Sequence, residues 1–381
     1  MAAARGVEGE RRILVTGGGT GGHVYPALGV LHHLSRRLPR LAVRWVGSER
    51  IESRIVKEEG LDFFQIDIRF SYRRLSLANL DYYRRHLLPI LTGKPYRQAL
   101  HALETYRPRL VLGTGGYVSA PALMAAQKAG TPYALLQLDN PPGVVNWTMA
   151  DKAWRIFAST PEVAAGFAGR CAGSKVLTLG YPCMPGRSTG RRLVEEFEIE
   201  PERKVLLVMG GSLGAGAINR AVREMVLIAS ALDEPCAEKL AIIHVGGERS
   251  LEAVPFEDAH ALTRGRIAYR PVDYISDVTG LMQSCDFYIG RSGAATVGEL
   301  ISARLPCLLI PDPQHADNQQ QYNAEELVRR GLGTMLHQSV ASGKALLDWL
   351  KSAWDQPRIE KPRASAADLI ADELVLAWED A

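Results

Sequence analysis

The chain has 381 residues, of which 46% are hydrophobic and 23% charged, the composition of a globular protein long enough for two domains. Its formal net charge is only +3, which argues against nucleic acid as a partner. The five cysteines are scattered singly, which excludes a cysteine-rich metal module and indicates reduced thiols in the cytoplasm. No apolar run approaches the ~20 residues of a membrane span, and the first residues lack the apolar core of a signal peptide.

The first half of the chain predicts strands that alternate with glycine-rich turns and helices. Strands are predicted at Arg12–Thr16, Leu41–Val46, Leu110–Leu112 and Tyr133–Leu136. The turn Gly17–His23 follows the first strand, and Pro26 suits the first turn of a helix that ends near Leu38. A second glycine-rich turn follows Leu112 and leads into a helix that ends at Gly130.

The second half repeats this pattern. Strands are predicted at Lys204–Met209, Ala241–Val245, Arg266–Tyr269, Phe287–Ile289 and Cys307–Ile310. The turn Gly210–Gly216 precedes a helix from near Ile218, the turn at Arg291 precedes a helix over Ala294–Ser302, and the tail after Pro362 is helical by pattern. The repeated unit predicts two Rossmann-like domains with parallel sheets. A Gly-, Pro- and Arg-rich stretch sets the domains at 1–186 and 187–357, with 358–381 packing back on the first.

The turns after the strands form the predicted ligand edge, because the carboxyl ends of parallel strands meet there. After Arg291 the N–H groups at a helix N-terminus suit an anion such as a nucleotide phosphate. The polar loop after the last strand suits a sugar, whose hydroxyls both donate and accept hydrogen bonds. That loop carries Gln314, His315, Asp317, Asn318, Gln319 and Gln320.

Two features of the first turn have competing interpretations. Gly17-x-Gly19-x-x-Gly22 matches the dinucleotide fingerprint. That fingerprint also requires an acidic residue at the end of the second strand to bind the ribose, but here the strand ends in Val46-Gly47-Ser48 and Glu49 follows too far along. This mismatch argues against a nicotinamide or flavin enzyme. The glycines could also serve close packing alone. His23, which precedes the predicted helix, is either a structural residue or a general base.

Four motifs together resemble those of the MurG family, glycosyltransferases of family 28. In chain order they read GGTGGHVYPAL, LGTGGYVSAPAL, MGGSLGAGAIN and RSGAATVGELISARLPCLLIPDPQHADNQQQYNA, and the resemblance extends from about Arg12 to Leu350. It implies the α/β GT-B fold, in which two Rossmann-like parallel-sheet domains face a central cleft. It implies inverting transfer of GlcNAc from UDP-GlcNAc to the C4 hydroxyl of lipid I, undecaprenyl-pyrophosphoryl-MurNAc-pentapeptide. The product, lipid II, serves peptidoglycan synthesis and hence cell-wall biogenesis, cell shape and division.

The resemblance also implies roles for individual residues. His23 would be the catalytic base, Ser212 would contact the diphosphate, Ile275 the uracil, Glu299 the ribose and Gln320 the GlcNAc hydroxyls. The other implied substrate-binding residues are Thr20, Gly21, Gly22, Asn140, Ala294, Ala295, Thr296, Val297, Gly298 and Gln319. A second glycine loop, Gly115, Gly116 and Ser119, is a candidate for the acceptor diphosphate.

Two short stretches depart from the family pattern. The family's Glu-Gln-Asn reads Leu138-Asp139-Asn140, and its Asn-Pro-Val-Arg reads Tyr181-Pro182-Cys183-Met184, with Arg187 as a stand-in for the missing arginine. These departures keep three alternatives open. The chain could be a related GT-B transferase with another acceptor, a sugar-nucleotide epimerase, or a UDP-sugar-binding relic without turnover.

The segment Phe70–Leu91 interleaves aromatic and aliphatic residues with arginines, which suits an anionic inner-membrane surface or, alternatively, a core helix with a basic solvated face. We therefore expect a cytoplasmic protein, peripheral on the cytoplasmic face of the cell membrane. No DxD triad occurs, so we expect no metal site and no cofactor; a divalent cation, if bound, should be non-essential.

Overall fold

The computed structural model of the chain describes residues 11–19, 21–68, 93–185, 194–210, 215–231, 234, 236–247, 263–273, 275, 277–313, 318–356 and 365–379. The chain divides into two compact units, Met1–Met184 with Ala364–Ala381, and Pro185–Arg363. Each unit is built on its own parallel sheet.

The first unit has a seven-stranded sheet in the order β3-β2-β1-β4-β5-β6-β7. The strands are β1 (Arg11–Thr16), β2 (Leu41–Gly47), β3 (Asp62–Gln65), β4 (Leu110–Gly113), β5 (Tyr133–Gln137), β6 (Arg155–Ala158) and β7 (Val176–Thr178). The first unit also contains the helices α1 (Gly21–Arg37), α2 (Ile51–Glu58), α3 (Lys94–Tyr106), α4 (Ala120–Ala129), α5 (Val144–Met149) and α6 (Pro161–Ala165). The buried residues Leu14, Val111 and Leu135 on the central strands form part of one core cluster.

Helix α1 begins earlier than its proline predicts. It starts at Gly21, on the glycine turn itself, so Pro26 lies inside the helix and not in its first turn. Proline has no N–H to donate to the carbonyl four residues back, so the first turn of α1 lacks one backbone hydrogen bond. His23 is consequently a helical residue, the third of α1.

The second unit has a six-stranded sheet in the order β10-β9-β8-β11-β12-β13. The strands are β8 (Lys204–Met209), β9 (Leu240–Val245), β10 (Ala268–Val272), β11 (Phe287–Gly290), β12 (Cys307–Leu309) and β13 (Gly333–Met335). The helices are α7 (Gly216–Ala231), α8 (Val278–Met282), α9 (Ala294–Ala303), α10 (Gln319–Arg329) and α11 (Gly343–Ala353). Helices α7 and α11 supply Val222, Met225 and Leu346 to the core on the sheet.

In both sheets the strand order reverses next to the first strand. The reversal lies between β1 and β4 in the first unit and between β8 and β11 in the second, and all strand pairs there are parallel. Open α/β sheets bind ligands at this topological switch point, beyond the carboxyl ends of the strands. The predicted fold class, two Rossmann-like parallel-sheet units, is confirmed.

The last helix, α12 (Ala366–Glu379), packs on α1 of the first unit. His33 Nδ1 lies 2.5 Å from Asp368 Oδ1, and Arg37 Nε lies 2.5 Å from Asp372 Oδ1. Ile370 on its inner face is fully buried. The chain therefore returns to its first unit after completing the second.

Candidate functional site

The glycine turns after β1 and β4 touch each other at the switch point of the first unit. A Cβ placed on Gly17 would lie 1.9 Å from Thr114 Oγ1, and one placed on Gly116 would lie 2.7 Å from Gly18 O. Both glycines also have positive φ angles. Close packing therefore accounts for these two glycines, whereas a Cβ on Gly19 would meet nothing within 4 Å.

A buried carboxylate holds the first turn in place. Glu52 on α2 is 0% exposed, and its Oε2 accepts a hydrogen bond from Gly19 N at 3.0 Å. Its Oε1 accepts from Ser48 N at 3.1 Å and from Ser48 Oγ at 2.5 Å. Trp45 Nε1 donates to Gly17 O at 3.0 Å. Because Gly19 lies in the turn after β1 and Ser48 directly follows β2, Glu52 links the segments that follow these two strands.

The imidazole of His23 lies against the second glycine turn. A Cβ placed on Gly115 would be 3.3 Å from His23 Cε1, and one placed on Gly116 would be 3.4 Å from Cδ2 and 3.7 Å from Nε2. The residue is half-buried. The structure thus brings the predicted base to the place where both turns meet.

The turn after β5, which carries Asn140, is held by two buried amides. Gln137 Nε2 donates to Asp139 O at 2.8 Å, and Gln137 Oε1 accepts from Asn146 Nδ2 at 2.9 Å. Asn146 Nδ2 also donates to Leu136 O at 3.0 Å. Within the part of the chain that the structure describes, its buried Oδ1 has no hydrogen-bond partner. Gln137 and Asn146 therefore position the Asn140 turn.

In the second unit, the turn after β11 leads into an uncapped helix N-terminus. Gly293 is the N-cap of α9 and provides no side-chain cap, while Val297 N bonds to Gly293 O at 2.9 Å. The N–H groups of the first helical residues, Ala294 to Thr296, have no acceptor within a helix, so they can bind an anion.

Arg291 itself serves the structure of this turn. Its Nη1 donates to Ile310 O at 2.9 Å and its Nη2 to Gln338 Oε1 at 2.7 Å. Burial lowers the pKa of its guanidinium. The potential for anion binding therefore rests on the backbone of α9.

Glu299 lies one turn further along α9 and is half-buried. Thr279 Oγ1 donates to its Oε1 at 3.2 Å. Loss of solvent raises the pKa of the Glu299 carboxyl to about 7; the hydrogen bond from Thr279 opposes this rise, and the nearby Asp277 carboxylate adds to it. The pKa shift means that the folded protein holds an acid close to its titration point at neutral pH.

The Gln320 amide is partly engaged within the protein. Its Oε1 accepts from Asp312 N at 3.0 Å, and its backbone oxygen accepts from Ser292 Oγ at 2.6 Å. Asn323 Nδ2 donates to Ser292 O at 3.1 Å. With the oxygen used, the Nε2 of Gln320 is the group that could reach a sugar hydroxyl, as a donor.

The other implied residues divide into three groups. Gly21, Gly22, Ala295, Thr296, Gln319 and Ile275 lie at or near the carboxyl edge of their own sheets. Val297 is fully buried and its N–H is bonded to Gly293 O, and Gly298 is also buried, so the Val297 side chain and N–H cannot bind a ligand. The remaining predictions fall outside the described residues: Thr20, Ser212, the side chain of Ala294, residues 314–317 and Phe70–Leu91.

Neither a metal-ligand cluster nor a membrane-spanning helix occurs in the described ranges. In these ranges no three His, Cys, Asp or Glu side chains cluster in a way that could hold a metal ion. Likewise, none of the helices placed by the structure combines the length and the hydrophobicity that crossing a bilayer requires.

The chain resembles known proteins along most of its length. It matches the glycosyltransferase family 28 N-terminal domain over residues 13–158 and the corresponding C-terminal domain over residues 205–374. It is 32% identical over 378 residues to a protein of Exiguobacterium sp. named UDP-N-acetylglucosamine–N-acetylmuramyl-(pentapeptide) pyrophosphoryl-undecaprenol N-acetylglucosamine transferase, covering 95% of this chain and 98% of that protein.

Two solved structures share the fold. MurG of Acinetobacter baumannii matches with a TM-score of 0.67 at 23% identity, over 96% of this chain and 99% of that one. The UDP-GlcNAc 2-epimerase of Neisseria meningitidis, solved with UDP-GlcNAc bound, matches with a TM-score of 0.66 at 13% identity, over 97% of this chain and 100% of that one. At these identities the likeness concerns architecture alone.

Proposed function

The chain belongs to glycosyltransferase family 28, as its motifs predicted, and on that premise we propose that it is an inverting N-acetylglucosaminyltransferase. It moves GlcNAc from UDP-GlcNAc to the C4 hydroxyl of undecaprenyl-pyrophosphoryl-MurNAc-pentapeptide. The observation that carries the proposal is the uncapped N-terminus of α9 at a switch point, with Glu299 on the same helix. This pairing suits a nucleoside diphosphate sugar, because one end accepts the phosphates and the other can accept ribose hydroxyls.

The donor is held by the second unit. The free N–H groups of Ala295 and Thr296 face the diphosphate, and the helix dipole favours the charge that develops on the departing UDP. Glu299 accepts from the ribose hydroxyls, and Ile275, just beyond β10, packs near the uracil. Gln320 Nε2 donates to a GlcNAc hydroxyl.

The first unit supplies the base. The acceptor C4 oxygen attacks the anomeric carbon of GlcNAc while His23 takes the hydroxyl proton. The bond from that carbon to the UDP oxygen breaks, and UDP leaves as the anion. Attack from the face opposite the leaving group inverts the configuration and gives a β1→4 bond. The closeness of His23 to Gly115 and Gly116 supports this role, because the backbone of the second glycine turn limits where the imidazole can lie.

Two further parts of the proposal come from the sequence. Phe70–Leu91 attaches the protein to the cytoplasmic face of an anionic membrane, where each Arg contributes about 1 kcal/mol. The fraction of protein that co-sediments with liposomes should then rise with the content of anionic lipid and fall with salt concentration. Co-sedimentation that does not change with either would contradict electrostatic attachment to the membrane. Catalysis needs no metal, so EDTA should leave the rate unchanged.

A transfer assay with purified lipid I and labelled UDP-GlcNAc tests the proposal. The expected products are UDP and a lipid-linked disaccharide. Transfer to another acceptor would point to a related transferase, release of a C2-epimerised sugar to an epimerase, and binding of UDP-GlcNAc without any product to a relic.

A further inference from the structure

Three buried polar side chains form a continuous hydrogen-bonded chain inside the second unit. Tyr269 on β10 and His244 on β9 are each 2% exposed, and Asn219 on α7 is 1% exposed. Tyr269 Oη lies 2.6 Å from His244 Nδ1, and His244 Nε2 lies 3.0 Å from Asn219 Oδ1. This hydrogen-bonded network reaches the backbone where Asn219 Nδ2 donates to Gly246 O at 3.3 Å. No part of the proposed transfer mechanism uses these groups.

The direction of every hydrogen bond follows from the last one. A backbone carbonyl only accepts, so the Asn219 amide must turn its Nδ2 to Gly246 and its Oδ1 to the imidazole. His244 Nε2 therefore carries the proton, and Nδ1 accepts from the Tyr269 hydroxyl. Burial lowers the pKa of His244 to about 4, so the ring stays neutral in this one tautomer through the physiological range.

The hydrogen-bonded network contacts the backbone at Gly246, which directly follows β9. Gly246 N donates a hydrogen bond to Val272 O at the end of β10. Gly246 O accepts a hydrogen bond from Nδ2 of Asn219, which lies in the first turn of α7. Gly246 thereby joins the end of β9 to the first turn of α7 and to the end of β10. In the sequence, α7 follows the glycine turn that carries Ser212, the residue expected at the diphosphate, and Ile275, expected at the uracil, follows β10.

An apolar set of side chains would fill this space without the cost of removing polar groups from water. Buried polar networks of this kind add little net stability, because each hydrogen bond replaces one made with water. What they do supply is a fixed geometry. We therefore expect this hydrogen-bonded network to fix the positions of the adjoining backbone segments and to add little to the free energy of unfolding.

We propose that Tyr269, His244 and Asn219 are positioning residues for the uridine diphosphate part of the donor, acting through the Gly246 peptide groups. The inference rests on the proposed function, since it names the device that sets the shape of that donor site. None of the three touches the reacting atoms, so they should govern donor affinity and leave acceptor use unchanged.

Tyr269→Phe is the mildest test, because it removes one hydroxyl and leaves His244 Nδ1 without a donor. Tyr133→Phe is the matched control: Tyr133 is also 2% exposed, and its hydroxyl donates to Met149 O at 2.7 Å in the first unit. Both variants should lose a similar amount of thermal stability. Only Tyr269→Phe should raise the Kd for UDP, by about 3- to 10-fold, in calorimetric titrations.

A second pair of variants guards against a folding defect. His244→Gln keeps an amide that can donate to Asn219 Oδ1, whereas His244→Leu keeps none, so the Gln variant should retain more UDP affinity at equal thermal stability. Equal UDP affinity in wild type, Tyr269→Phe and His244→Leu would overturn the inference and leave the proposed function standing. Failure of the folded wild type to bind UDP would overturn the proposed function and, with it, the inference.

Discussion

His23 packs against the backbone of Gly116, where a Cβ would stand 3.4 Å from His23 Cδ2 and 2.7 Å from Gly18 O. The second glycine turn thus limits the position of both the imidazole and the first turn. A side chain at 116 would force the first turn to shift, because its Cβ would lie only 2.7 Å from the backbone oxygen of Gly18.

Gly116→Ala should separate this effect from ordinary backbone strain when compared with Gly130→Ala. The two glycines have φ angles of +72° and +69°, but a Cβ on Gly130 would meet nothing within 4 Å. The positive φ angle should cost each variant about 1–2 kcal/mol of unfolding free energy, because alanine is disfavoured in this backbone region. Only Gly116→Ala should also lose kcat, by about 100-fold, because a shift of the first turn would move His23, which follows that turn as the third residue of α1. Equal kcat values in the two variants would show that the turn does not position His23.

Glu52→Gln tests the carboxylate that holds the first turn. A carboxylate can accept from Gly19 N and from both donors of Ser48, whereas an amide must turn its NH2 group toward at least one of these donors. We expect a loss of about 1–3 kcal/mol in denaturant unfolding, together with a lower kcat. Glu49→Gln is the control, because Glu49 is exposed and lies three residues away. Stability equal to that of the control would mean that the first turn keeps its shape without Glu52.

Glu299→Gln should weaken donor binding and, at neutral and higher pH, raise the free energy of unfolding relative to wild type. The folded pKa of about 7 exceeds the ordinary 4.5, so the folded state holds this proton more tightly than the unfolded chain does. The stability contributed by Glu299 is therefore complete below about pH 4.5 and is lost as the pH rises through about 7. Glutamine does not titrate, so the stability of the variant relative to wild type should improve from pH 5 to pH 8 in urea unfolding.

The same substitution should weaken UDP binding, because an amide cannot accept from two ribose hydroxyls with both of its polar atoms. A loss of about 1.5–3 kcal/mol corresponds to a Kd raised roughly 10- to 150-fold. A variant that binds UDP as well as wild type would remove Glu299 from the donor site. A stability difference that does not change with pH would show that the carboxyl ionises normally.

Long apolar strands could be predicted from the sequence and short polar ones could not. Lys204–Met209 has the predicted bounds, since six mostly buried residues carry a clear pattern. Asp62–Gln65 and Gly333–Met335 were missed, because their residues are half-exposed and form strands only by pairing at a sheet edge. Strand β10 runs two to three residues later than predicted and includes Pro271, which an edge strand tolerates.

The glycine turns of the candidate site were visible in the sequence, but the side chains that support them were not. Glu52 stands on a short charged helix, and Gln137 ends an apolar strand, so each resembles a solvated residue until tertiary packing buries it. The motif includes Val297 among the substrate-binding residues, yet the helical period directs its side chain into the core. A polar residue at the carboxyl end of a buried strand is the signal that could have identified Gln137 and His244.

The most direct measurement compares kcat and UDP-GlcNAc affinity in His23→Ala, with His101→Ala on the exposed side of α3 as the control. General-base catalysis contributes about 10²- to 10⁴-fold, so kcat should fall by that factor in His23→Ala and stay unchanged in His101→Ala. The Kd for UDP-GlcNAc should stay within about twofold of wild type in both, because the proposed donor site lies on the second unit. A His23→Ala protein that keeps near-full kcat would contradict the assignment of the base to His23 and make it a structural residue of the glycine turns.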